Sequence, residues 1–223
     1  MQQKWDQIFT ATLVACALIT TGVVIHREFS ASSTAGQRLA RKPVLVKDWK
    51  SLVGQGELMG STSSPVQLIE FADFECPFCG EFHTKLKALR ARYATQLSLT
   101  YVHFPIPGHR FALLAARVSE CAGAQGRFEA IYDRLFDEQD EFGLKPWSDY
   151  ANEAGVPDLS AFAECIKQTG TFRQIEAGKQ LGAKLNVNAT PTLIVNGWLL
   201  TQPPSDDQLD HMIKSILAGK SPI

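Results

Sequence analysis

The sequence of 223 residues lacks any appreciable charge imbalance. Its 22 lysines and arginines stand against 23 aspartates and glutamates, a net charge of −1 at neutral pH. Without a basic excess, composition offers nothing to a nucleic-acid partner. The chain also lacks a second Cys-x-x-Cys, and no close pair of histidines follows the one at Cys76 and Cys79. Zinc wants four ligands, so two of them would be missing, and no metal is expected. Charged side chains are absent altogether from Ile8 to Ile25.

That apolar run is 18 residues long, which at about 1.5 Å per residue nearly spans a bilayer core of about 30 Å. A cleaved signal peptide usually has an apolar region of about 7–15 residues closed by a small-x-small site. Here His26-Arg27-Glu28 follows directly, and the one weak site, Ser33-Thr34-Ala35, lies well downstream. A single uncleaved transmembrane helix is therefore expected, with residues 1–7 as its flank and lipid as its partner. Cys16 follows Leu13-Val14-Ala15 in the manner of a lipoprotein processing box. The chain stays apolar after it, however, so a small side chain facing lipid is the expectation. Arg27, Arg38, Arg41 and Lys42 follow the run and only Lys4 precedes it, so a positive-inside count alone puts the domain in the cytosol. Five cysteines suit an oxidising compartment better, and an extracytoplasmic domain on the cytoplasmic membrane is expected instead.

The chain is organised around Phe71-Ala-Asp-Phe-Glu-Cys-Pro-Phe-Cys-Gly80. Val66 to Phe71 reads as a strand, with β-branched and aromatic residues after Pro65. Phe82, Leu86, Leu89 and Tyr93 then recur at helical spacing. Pro77 suits the first helical position. Cys76 thus falls at a helix start, where unpaired N–H groups and the positive end of the helix dipole favour a thiolate. Cys79, one turn further in, is expected to be more buried and to resolve mixed disulfides. A Pro-Phe pair leading into a helix is an odd setting for a purely structural disulfide.

These residues resemble the active-site signature of the DsbA-like branch of the thioredoxin fold. The match continues through Phe104-Pro105, Ala115-Ala116, Cys121-Ala122 and Thr190-Pro191-Thr192, and covers roughly Pro65 to the C-terminus. The resemblance implies Cys76 as nucleophile, Cys79 as resolving thiol, and a cis Pro191 packed beside the sulfurs. It also implies Thr190, with Pro77 and Phe78, at the substrate groove. The best-known oxidase of the family has histidine directly before its second cysteine, where this chain has Phe78, and that departure bears on oxidising strength.

Elsewhere, residues 26–60 read as a linker in which Val44–Leu58 holds an edge strand, and 61–223 as the thioredoxin-like domain. Helical patterns dominate about 105–189, more than a minimal thioredoxin needs, so an inserted helical subdomain is expected within an α/β fold of one mixed sheet flanked by helices. Glu70 interrupts the apolar strand. It is either a solvent-facing edge carboxylate or, as the fold implies at this spacing, a buried acid that passes protons to the inner sulfur. Cys121 and Cys165 are either free buried thiols or, in an oxidising compartment, a structural disulfide. His109 either caps a helix or lines the groove, capping being the stronger expectation. His103 is read as structural and 137–141 as a solvated acidic loop. Asn196-Gly197 marks a two-residue hairpin. Ser205 caps a last helix that Gly219 ends.

The expected activity is thiol:disulfide oxidation of exported proteins with reduced cysteines, without a bound cofactor, followed by reoxidation through a membrane partner. The same site run in reverse makes a reductase or isomerase. A tethered binding module without turnover is the remaining alternative.

Overall fold

In a computed structural model, residues 42–200 and 202–223 are described, together with Thr20 and Thr21. The anchor expected over Ile8–Ile25 lies outside the described residues apart from those two. Among the described residues no helix is long and apolar enough to cross a membrane. The chain divides into units Met1–Ala40 and Arg41–Ile223, and the second carries the fold that follows.

Six strands form one mixed sheet in the order β1-β6-β5-β3-β4-β2. They are β1 (Val44–Leu45), β2 (Glu57–Met59), β3 (Val66–Ala72), β4 (Leu97–His103), β5 (Thr192–Val195) and β6 (Trp198–Leu200). Only β3 and β4 run parallel, joined over α1 (Pro77–Arg92), as a β-α-β crossover requires. The segment before the main domain supplies two edge strands rather than one: β1 pairs β6 at one edge and β2 pairs β4 at the other.

Between β4 and β5 come α2 (Ala112–Gly123), α3 (Phe128–Asp137), α4 (Trp147–Glu153), α5 (Leu159–Lys167) and α6 (Arg173–Lys184). The alternation of β3 sends Ile69 and Phe71 to one face, where Leu181 and Leu185 from the α6 end cover them. Leu68 and Ala72 face the other way, into a core shared with Phe82 and Leu86 of α1, Tyr132 and Phe136 of α3, and Leu209 and Ile213 of α7 (Asp206–Leu217). Thus α6 is the helix a minimal fold places here, and α2 to α5 are the addition. Cys121 of α2 and Cys165 of α5 are joined by a disulfide.

The hairpin turns at Asn196 and Gly197, whose φ values of 42° and 93° are those a tight two-residue turn between twisted strands demands. Ser205 caps α7 in a full capping box: its hydroxyl accepts from the Gln208 N–H, and the Gln208 side chain accepts from the Ser205 N–H.

Candidate active site

Parallel pairing brings the C-terminal end of β3 and the start of α1 to one end of the sheet. Cys76 is the N-cap of α1 and Pro77 its first residue. The Cys76 carbonyl accepts from the N–H groups of Cys79 and Gly80, at 3.0 and 3.2 Å. Both cysteines are free thiols, with Cys76 4% and Cys79 0% exposed. Pro77 and Phe78 project outward, Phe78 with 65% of its surface exposed. The Thr190-Pro191 bond is cis. Because β5 starts with Thr192 opposite Phe71, this bond falls beside the helix start, and the Cys76 Sγ lies 3.5 Å from the Thr190 carbonyl oxygen.

The two sulfurs are electrostatically unlike. The Cys79 thiol donating to Cys76 is the largest of several influences that lower the Cys76 pKa to about 6. Burial opposes it; the N–H groups of Cys79 and Phe78 assist. Burial first, then the Cys76 sulfur and the charge of Glu70, push Cys79 well above the ordinary thiol range. At neutral pH the outer sulfur is an anion and the inner one keeps its proton.

Glu70 is fully buried on β3. Desolvation raises its pKa to about 8, against the opposing hydrogen bond from Tyr132. It stands on the same face of β3 as Leu68 and Ala72, the face covered by α1, rather than at an edge or in solvent.

Asp73, inside the organising stretch, was not singled out from sequence. Its buried carboxylate accepts from the Glu75 N–H at 2.8 Å, the Ile106 N–H at 2.9 Å and His109 Nδ1 at 2.7 Å, and its carbonyl accepts from the Cys76 N–H at 3.1 Å. The bond to the N–H two residues on is an Asx-turn, and the Asp at that spacing was the available signal. His109 consequently does not cap α2. Phe111 is the N-cap there with no side-chain cap, and a buried carboxylate with three donors to collect holds the imidazole instead. His103 is buried and bonds Glu120 at 2.7 Å.

The acidic run 137–141 is largely solvated, with Asp137, Asp140 and Glu141 exposed, but it is not an irregular loop. Asp137 closes α3 and pairs with Lys87, Glu138 pairs with Arg134 and Lys145, and 139–141 is a turn of 3₁₀ helix. Cations placed on α1, on α3 and just past the turn pair with Asp137 and Glu138. Among the described residues no three or more metal-ligating side chains converge.

A family model described as thioredoxin matches residues 53–215. Among curated proteins, Na(+)/H(+) antiporter NhaA 1 of Mycolicibacterium vanbaalenii is 35% identical over 144 residues, which are 62% of this chain and 23% of that protein. NhaA 3 of Salinispora tropica is 31% identical over 161 residues, 72% of this chain and 24% of that one. The chain thus spans about a quarter of the length of the curated relatives it matches. Among solved structures, BdbD from Bacillus subtilis superposes with a TM-score of 0.66 at 22% identity, over 74% of this chain and 95% of that one. Alpha-DsbA1 of Wolbachia pipientis gives 0.63 at 21% identity, over 76% and 96%. The chain belongs to the thioredoxin family, and its fold is that of BdbD and alpha-DsbA1.

Proposed function

We propose that this protein is a membrane-tethered, extracytoplasmic thiol:disulfide oxidoreductase that forms disulfides in exported proteins. The observation that carries the reading is the asymmetry of the pair, Cys76 acidic and Cys79 not. In the oxidised enzyme a substrate thiolate attacks the Cys76 sulfur. The Cys76–Cys79 bond breaks, and its electron pair leaves on Cys79, which takes the proton that Glu70 holds at neutral pH. The substrate's second thiolate then attacks its own sulfur in the mixed disulfide, and Cys76 departs as a thiolate. Thr190, Pro191, Pro77 and Phe78 form the docking surface around the reacting sulfur, and Cys121–Cys165 braces the inserted helices.

A stabilised Cys76 thiolate favours the reduced enzyme and so makes the disulfide the better oxidant, about 30 mV for each tenfold of stabilisation. That supports oxidation over reduction or isomerisation. The enzyme leaves reduced and needs a membrane redox partner, beside which an Ile8–Ile25 anchor would keep it. The homologous quarter of proteins named antiporters, which work in bilayers, supports such a setting.

The test is oxidation of a reduced two-cysteine protein by the disulfide form, together with the reduction potential against glutathione. Disulfide formation that is lost in Cys76→Ser, with a potential above the roughly −270 mV of thioredoxin, is expected. A potential at or below that value reverses the direction. Turnover that survives Cys76→Ser removes this site from the chemistry, and a wild type without turnover leaves a binding module.

A further inference from the structure

Gln139 sits in the 3₁₀ turn Gln139–Glu141 that follows α3, inside the added helices and 63 residues from Cys76. Its side chain leaves the insert and ends on the redox turn. Nε2 donates to the Cys76 carbonyl at 3.1 Å and also to the Phe74 carbonyl. Both partners are acceptors, so the amide must present its N–H groups there and its oxygen elsewhere. That oxygen lies over the α carbon of Gly80, where a β carbon would run into it. Gly80 is the residue after Cys79, and its lack of a side chain opens the seat for Gln139.

The turn that carries Gln139 is tied to the helices on either side of it. The Glu138 carboxylate is held by Arg134 at 2.7 Å and Lys145 at 2.6 Å, and the Glu138 carbonyl accepts from the Tyr150 hydroxyl at 3.1 Å. Lys145 also reaches Glu153 at 2.6 Å. Charges tied from several elements lower the entropy cost of presenting one amide in one place.

We propose that Gln139 is a positioning residue for the dithiol centre: through it the inserted helices grip the backbone on both sides of Cys76 and hold the amide donors that face its sulfur. The Cys76 carbonyl already closes the first turn by accepting from the Cys79 and Gly80 N–H groups. A further N–H from Gln139 fixes the plane of the Cys76–Pro77 peptide, and the bond to Phe74 fixes the chain entering the turn. The N–H groups of Phe78 and Cys79, which favour the thiolate, are aimed by that geometry. The helical addition thereby sets the redox character of the site as well as covering the sheet.

The inference rests on the functional reading above, and its test separates the two. The Cys76 thiolate midpoint is followed by absorbance near 240 nm and by alkylation rate, with the glutathione potential and thermal midpoint, in wild type, Gln139→Met, Gly80→Ala and the double variant. Methionine keeps the length and removes the donors. Gln139→Met should raise the Cys76 midpoint by about 0.5–1 unit and make the potential more negative by about 15–30 mV. Gly80→Ala, by expelling the amide, should do the same, and the double variant should go no further than either single one. A wild-type midpoint that is lowered and unmoved in Gln139→Met overturns the proposal, as do fully additive single effects. A change confined to the thermal midpoint means a structural contact only, which also overturns it. Should Gln139→Met fail to fold, the shift or constancy in Gly80→Ala decides. An ordinary thiol midpoint in wild type sinks the functional reading, and this inference with it.

Discussion

The hydroxyl of Tyr132, on α3, donates to Oε2 of Glu70 in the middle of β3 at 3.3 Å, while Oε1 of Glu70 has no hydrogen-bond partner among the described residues. The inserted helices therefore reach Glu70 through Tyr132 as well as the Cys76 turn through Gln139. The bond favours the carboxylate and partly offsets a desolvation that otherwise keeps Glu70 protonated. In Tyr132→Phe the Glu70 pKa should rise above about 8, by roughly 0.5–1 unit. Carboxyl titration by ¹³C NMR in reduced protein checks this. An unmoved midpoint would mean the phenol does not hold the acid.

Glu70 and His83 give stability opposite pH dependences. Glu70 has its folded pKa raised from 4.5 to about 8, so the native state binds the extra proton and stability falls as pH rises through that window. His83 is buried between Tyr132 and Phe136, and burial lowers its pKa from 6.5 to about 4, so stability falls as pH drops through that window. Between 4.5 and 6.5 the two slopes oppose. Reduced Cys76, lowered from 9.0 to about 6, adds stability as pH rises through that window and offsets the Glu70 loss there, so Glu70→Gln should leave a profile that keeps rising from pH 4 upward. Urea midpoints across pH 4–8.5 measure it, and a profile unchanged from wild type would contradict the burial of a titrating acid.

The Cys79 thiol is the largest influence lowering Cys76. Cys79→Ala should therefore raise the Cys76 midpoint from about 6 toward the ordinary thiol value, and Cys79→Ser, which keeps a donor, should raise it less. Iodoacetamide rates profiled against pH report both, and equal midpoints in the two variants would remove the donor from the account.

Cys121 and Cys165 are 44 residues apart in sequence. On the chain-entropy account, closing such a loop contributes up to about 4 kcal/mol. Replacing both by alanine should lower the urea unfolding free energy by no more than that while leaving the Cys76 midpoint in place. A shifted midpoint would show that the disulfide, rather than Gln139 or Tyr132, carries the insert's influence.

Much of the site was legible because its signals are local. Pro77 after Cys76, with an apolar strand before and helical periodicity after, places the first cysteine at a helix N-terminus without any tertiary information. Asn196-Gly197 and Ser205 are likewise short-range devices, and the structure shows a turn and a cap at them. The Asx-turn at Asp73 was equally local and went unread, so His109 was assigned to a cap instead of to that carboxylate. The acidic run 137–141 misled for a different reason. Its solvated character holds for Asp137, Asp140 and Glu141, but Lys87, Lys145 and Arg134 reach Asp137 and Glu138 from α1, the following loop and α3, and no local pattern shows those partners.

What the sequence determined by itself is the cysteine pair at a helix start, the helix dipole it meets, and the excess of helix between the two halves of the sheet, since each depends on residues within a few positions of one another. Only the tertiary structure decided which side chains of that excess reach the pair. Tyr132 meets Glu70 across 62 residues and Gln139 meets Cys76 across 63. Such contacts depend on how helices pack over a sheet, through rotations and offsets that periodicity leaves free, so no pattern along the chain announces them.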